Sequence, residues 1–380
     1  MSKINILKYM LIFCLLLAGN AVAASFQPDS PVNEAVETAI KRILSCKEKS
    51  APLPDIEELV PLLEYMTVAA GTSENQYPAK RDEGSGIYWR GLIEKSFATT
   101  LRYLFNPGIS PELVHPASVR RGDTFPDSGI LNLPKPLWEL LPELGKTPFV
   151  LRGEEYEEIT PDDFSGSYYA YKMKNLVLFF KYQDTPMLLR VSWQDGESEK
   201  GRKGAFLGKY DDWDFVFTND TGGTATGLGW LSTYMYGSAA LMLYYPLDDR
   251  RTGYVMFKWL NAGWSGINVV NRSHILSGAD RNFAGMREVI SVDGGLSVEE
   301  LEEITHDTAY YDRLTLLIML APYCQELDRL SRDDSVLRRS EFQKILSGGK
   351  YAASLNDDEL RALYRIIVLK RKLGKPVLGG

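Results

Sequence analysis

SYYAYKMKNLVLFFKYQDTPMLLRVSW, residues 167–193, decides the fold class. Tyr169, Tyr171 and Met173 alternate with Tyr168, Ala170 and Lys172, the two-residue period of a strand. Leu176 to Phe180 is then apolar at every position, as in a strand covered on both faces. Gln183-Asp184-Thr185-Pro186 is turn chemistry, and Met187 to Trp193 returns as a partner strand. Strands joined by so short a turn are antiparallel, since parallel neighbours need a crossover of roughly a dozen residues or more.

Toward the C-terminus the strand pattern continues. Residues 194–203 are wholly polar and predict an exposed loop, followed by short strands at Ala205–Tyr210 and Trp213–Phe217. A glycine-rich stretch, 221–229 (TGGTATGLG), precedes another apolar segment ending near Tyr245. Helices are expected from about Tyr254 onward. Ser297-Val298-Glu299-Glu300 is a capping box. Leu314 to Ala321 is apolar on all sides, which predicts a helix buried all round and kinked at Pro322. The last helix is the clearest: Asn356 caps it, Asp357, Asp358 and Glu359 sit at its positive end, Lys370, Arg371 and Lys372 at its negative end, and Gly374 stops it.

Toward the N-terminus, Ser30-Pro31 reads as a helix start, with Val36, Ala39, Ile40, Ile43 and Leu44 at helical spacing. A second helix is expected from Asp55 to Ala69, and a third from Trp89 to Phe105, ended by Asn106-Pro107-Gly108. Recurrent prolines between Pro111 and Pro161 predict short surface turns. The chain therefore reads as α+β. A central antiparallel β-rich region (161–252) is flanked by helical N-terminal (24–160) and C-terminal (253–380) segments, and together they form one globular unit.

Residues 1–23 read as a cleavable secretory signal peptide. Lys3 and Lys8 give a positive start, Tyr9 to Gly19 is apolar, and Ala21-Val22-Ala23 is a small-x-small cleavage pattern. The apolar run is too short for the roughly 20 residues a spanning helix needs, and no later stretch is long enough. The expectation is a soluble, exported protein of a bacterial periplasm or extracellular space, not an integral membrane protein. The chain carries 43 basic and 50 acidic residues, net −7. Loss of Lys3 and Lys8 leaves 41 against 50, net −9, a poor balance for nucleic-acid binding. Cys14 leaves with the leader, so Cys46 and Cys324 remain either as a disulfide tying the two helical segments together or as two buried thiols.

Site motifs are sparse. Gly263-Trp264-Ser265-Gly266 misses the serine-hydrolase elbow by one position, and Ser347-Gly348-Gly349-Lys350 matches S-x-x-K with two glycines that disfavour the helix it needs. The glycine-rich stretch lacks the lysine and hydroxyl of a phosphate loop and reads as a hairpin or flap. Glu112-Leu113-Val114-His115 and Glu303-Ile304-Thr305-His306 are both E-x-x-H, the pairing used in di-iron bundles. The first copy sits between two prolines, with room for barely one turn, so surface glutamates with helix-end histidines are the expectation. Glu303 and His306 are the metal candidates. His274 follows Ile267 and Val270 at helical spacing and reads first as a hydrogen-bonded core residue. Between Trp193 and Trp264, 15 of 72 residues are aromatic, about twice the chain average, with Asp211, Asp212, Asp214 and Asp220 interleaved. Core packing accounts for most of them. An exposed subset with acids nearby would suit a sugar ring, which makes Asp211, Asp212, Trp213, Trp230, Trp264 and His274 the ligand-surface candidates.

No nucleophile, base and oxyanion set assembles in this sequence, and no cofactor is implied. The first functional reading is an envelope protein that binds a partner protein or glycan without catalysis. The second is a hydrolase of envelope glycan or peptide working through Asp/Glu and His274. The third is a metal-carboxylate protein using Glu303 and His306.

Overall fold

A computed structural model describes residues 30–68, 76–145, 147–162, 165–225, 229–291 and 293–379, so the leader and its cleavage pattern lie outside the described residues. The chain is α+β, built on an eight-stranded antiparallel sheet. In chain order its strands are β1 (Ser85–Ile93), β2 (Val119–Thr124), β3 (Phe149–Ile159), β4 (Ala170–Tyr182), β5 (Thr185–Gln194), β6 (Thr233–Pro246), β7 (Thr252–Trp264) and β8 (Ile267–Asn268). Neighbours run β2-β3-β4-β5-β6-β7-β8, and β1 lies beside β7. The β4–β5 hairpin turns on Gln183 and Asp184, both at positive φ (48° and 63°), the two-residue loop whose twist matches that of the strands.

The pleat sends alternate side chains to opposite faces, and each face has its own core. On the outer face Leu176, Leu178, Phe180, Leu189, Val191, Leu241, Leu243 and Phe257 pack against α1 (Glu34–Leu44) and α2 (Ile56–Thr67). Asn33 caps α1 through a 2.9 Å bond from the Val36 amide, three residues beyond the expected start, while Ser30–Pro31 pairs with Gln76–Tyr77 as a short strand. On the inner face lie α3 (Phe97–Leu104), α4 (Pro111–Val114), the long α5 (Arg272–Ile290) and α6 (Val298–Ala309). Phe283 of α5 meets Trp89 of β1 edge-on, with ring centroids 4.7 Å apart.

A third core joins the small sheet (Ser167–Tyr168, Arg202–Phe206, Phe215–Thr221) to α7 (Arg313–Leu330), α8 (Ser340–Leu346) and α9 (Asp357–Lys372). The capping boxes at Ser297 and Asn356 form as the sequence predicts. Three buried ion pairs tie α9 to the rest of the protein. Glu359 meets Arg120 of β2 at 3.0 Å, Arg365 meets Glu112 at 2.9 Å, and Lys370 meets Asp214 at 2.6 Å.

Several expectations change. Cys46 and Cys324 are free thiols in different cores, the first among α1, α2 and the outer sheet face, the second among α7–α9. The disulfide alternative therefore falls, because the two helical segments it would join pack on separate surfaces. The Trp89–Phe105 helix is a strand and then a helix, since the apolar run GIYWRGLI buries β1 on both sides. The sheet also reaches beyond 161–252, taking in β1, β2, β3 and most of β7. Finally, α7 is not buried all round. Leu314 and Ile318 are each 66% exposed, so one stripe of that apolar run faces outward.

Candidate functional site

The inner sheet face is not uniformly apolar. Two buried clusters lie on it: a large one beneath α5 that includes Val177, Leu188, Tyr244, Tyr254 and Met256, and a small one of Tyr169, Tyr171, Met173, Met235 and Ala262. A polar strip lies among the residues between them. One register row runs Asn175 (β4), Ser192 (β5), Ala240 (β6), Lys258 (β7). The pleat places Arg190 beside that row on β5 and Glu155 and Glu157 on β3, all pointing to the same side.

These groups are organised by hydrogen bonds. Arg190 Nη2 donates to Glu155 at 2.6 Å and to Asn175 Oδ1 at 3.0 Å, and Arg190 Nε donates to the same oxygen at 3.2 Å. Tyr171 donates its hydroxyl to Glu157 at 2.6 Å. His115, just after α4, bonds Asn282 of α5 through Nδ1 at 3.0 Å, and Ser118 donates to the same Asn282 oxygen at 2.6 Å. Arg190 and Glu155 keep 23% and 28% of their side-chain exposure although they lie on the helix-covered face. Solvent therefore reaches the strip at Arg190 and Glu155, while Asn175, Ser192 and Ala240 beside them are buried.

Small residues make the space. Ser192 and Ala240 form the centre of the row, with Ser238 beside them. A side chain at Gly278 of α5 would meet nothing within 4 Å. Electrostatics follow the enclosure. Burial pushes His115 down to about 4, with Arg190 adding to the effect against the Asn282 bond, so its imidazole is neutral at pH 7. Burial also lowers Lys258, with Glu157 pulling the other way. Burial works against the Arg190 charge, and Glu155 with Tyr244, Glu157 and Tyr254 together more than restores it.

The residues singled out in the sequence do not converge. Trp213 is 2% exposed, in the main core against Gly285 of α5, with Lys375 Nζ 4.1 Å from its ring centroid. Asp211 is exposed beside it, and Asp212 accepts the Lys209 amide at 2.8 Å as a local cap. His274 is half-buried in the first turn of α5, eleven residues before Gly285, a rise of about 16 Å. Trp264 is half-buried at the end of β7, paired with Thr233 and Ile267. Trp230 belongs to a short strand, Gly229–Leu231, that pairs with Gly223–Ala225, and its side chain lies outside the description. The glycine-rich stretch is thus a hairpin, with 226–228 beyond the described residues. Most of the aromatic segment is core, as expected: Trp193, Phe217, Tyr244, Tyr254, Phe257 and Trp259 are all buried.

The two E-x-x-H pairs are also apart. Glu303 is exposed and lies 3.4 Å from Lys372 Nζ, while His306 contacts Asp307 at 3.3 Å. Glu112 is not at the surface as expected but 1% exposed, bound to Arg365. Among the described residues no three His, Cys, Asp or Glu come together as metal donors, and no helix is long and apolar enough to cross a membrane. An open groove of about 510 Å³ at the C-terminal end of α5 is lined by charges that face solvent, and one of them, Glu288, is held by Lys375 at 2.6 Å. The cleft residues carried one signal in the sequence: Arg190 in MLLRVSW and Lys258 in YVMFKWL are lone cations inside apolar strands.

No protein-family model matches the chain, and no curated protein matches it. Among solved structures it is similar to human StAR-related lipid transfer protein 5, at 10% identity and a TM-score of 0.29 over 60% of this chain and 90% of that one. It is similar also to human STARD10, at 8% identity and a TM-score of 0.28 over 68% and 83%. Likenesses this distant bear on neither fold nor ligand.

Proposed function

We propose that this chain is a non-catalytic binding protein, acting outside the cytosol, that takes a small amphipathic molecule into the cleft between the inner sheet face and α5. One observation carries the reading. Between two apolar clusters of the sheet–helix core, the row carries small side chains, Ser192, Ala240 and Ser238, and polar groups in place of large apolar ones, which suits a ligand that supplies the missing volume. The apolar walls suit a hydrocarbon body, and the strip suits one polar end. The charged, apolar and small-x-small segments of residues 1–23 support the placement in an exported compartment.

Calorimetric titration with dodecanol tests the cleft itself. One molecule should bind per chain, and Ala240→Phe, which fills the centre of the row, should abolish it. A folded Ala240→Phe protein that binds dodecanol as the parent does would remove the reading. The place of action is tested separately by sequencing the N-terminus of protein recovered from the cells that make it; a chain still beginning at Met1 in the cytosolic fraction overturns it.

A further inference from the structure

Resting on the cleft as a ligand site, we infer that the polar end of its ligand is an anion, a carboxylate, sulfonate or phosphate monoester, received between Lys258 and Asn175. Both carboxylates are already engaged, Glu155 by Arg190 and Glu157 by the Tyr171 hydroxyl. Lys258 makes no hydrogen bond or ion pair within reach among the described residues, although it lies on a helix-covered face between Ala240 and Ile87.

The second unmet donor is Asn175. Its side chain is 7% exposed, and its amide nitrogen Nδ2 is buried with no partner. Its orientation is not arbitrary. Arg190 donates to the carbonyl oxygen twice, which fixes the amide and leaves both N–H groups of Nδ2 unused. A buried donor without an acceptor is unfavourable by about 1–3 kcal/mol, so such a group calls for a partner from outside the chain. One buried acceptor also lacks a partner: Gln194 Oε1, two residues along β5 from Ser192. That oxygen suits a ligand hydroxyl or N–H, and it leaves the charge balance unchanged.

Spacing agrees. Asn175 and Lys258 stand three strand gaps apart in one row, about 14 Å between backbones at roughly 4.8 Å per gap. The four-carbon stem of Lys258 can span part of that distance, and one anionic group accepting a hydrogen bond of about 2.8 Å from each donor would bridge the rest. The floor beneath it is Ser192 and Ala240, too small to block the approach.

Dodecanoate, dodecanol and dodecyltrimethylammonium, titrated calorimetrically at equal salt and below their micelle concentrations, separate the possibilities. Dodecanoate should bind the parent protein more tightly than the other two. Lys258→Met should weaken dodecanoate by about tenfold or more and leave dodecanol within about twofold, while Lys258→Arg should keep most of the preference. Asn175→Leu should weaken dodecanoate in the same selective way, so the inference stays testable if Lys258→Met fails to fold. Equal dodecanoate affinity in parent, Lys258→Met and Asn175→Leu would overturn the anion assignment while dodecanol binding kept the cleft. Tighter binding of the ammonium probe would overturn it also. Binding of no probe by the parent would remove the cleft, and the anion with it.

Discussion

Replacing Arg120 by methionine tests what holds the C-terminal helices to the sheet. Arg120 on β2 is 6% exposed and serves two buried carboxylates, Glu158 of β3 at 0% and Glu359 of α9 at 5%. Its guanidinium also lies over the Phe217 ring, 4.0 Å from the centroid. Burial opposes its charge, and Glu158, Tyr168 and Glu359 together hold it more firmly protonated than usual. Methionine preserves much of the apolar stem and removes the only part that pairs. Breaking a buried ion pair from one side is unfavourable by about 3–5 kcal/mol; Glu359 loses its ion pair while Glu158 keeps Arg121 at 3.3 Å, so Arg120→Met should lose about 3–4 kcal/mol. That is a large share of a domain whose total stability is about 5–15 kcal/mol. The triple variant Arg120→Met/Glu158→Gln/Glu359→Gln strands no charge and should recover most of the loss. Urea unfolding followed by tryptophan fluorescence and far-ultraviolet circular dichroism gives both numbers. A single-variant loss under about 1 kcal/mol, or a triple variant no more stable than the single one, would refute the reasoning.

Other consequences are equally direct. His115 sits at about 4 in the folded protein against an ordinary value near 6.5, so the unfolded chain takes up its proton first as pH falls. Its contribution is intact above about pH 6.5 and lost between there and 4, up to about 3 kcal/mol, and a His115 imidazole resonance titrating above 6 would contradict this. In protein lacking residues 1–23, and with them Cys14, Cys46 and Cys324 should be unreactive to a thiol reagent in the native state and give two equivalents after denaturation, with no change in Tm on adding reductant. Gly263→Ala should be strongly destabilising, because its new Cβ would lie 2.0 Å from the Ile267 carbonyl oxygen; parental urea stability would refute the tight β7–β8 turn.

What was legible in the sequence were elements whose signal is local. The β4–β5 hairpin announces itself by alternation and its Gln183-Asp184 turn, and α9 by Asn356, its charged ends and Gly374. What was not legible depends on partners far along the chain. FVLRGEEYEEI falls within the stretch where recurrent prolines predict short surface turns, yet it is β3, and Glu155 and Glu158 find Arg190 and Arg120 from other strands. Aromatic enrichment marked the region that crosses the core rather than the cleft, since rings such as Tyr244 and Tyr254 stack on each other at 4.8 Å. The cleft depends instead on small residues, Ser192 and Ala240, whose meaning appears only when neighbouring strands are in register.

The pairing of β1 with β7 sets the order of events at the ribosome. Trp89 of β1 stands in register opposite Met256 of β7, so β1 emerges long before its neighbour exists. Until then its apolar residues have no sheet to join, and a nascent chain of this kind offers a sticky strand to any other nascent chain nearby. Closure of that late, distant contact makes folding slow for the protein's size, and synthesis at low temperature or with a holding chaperone should raise the yield of folded product.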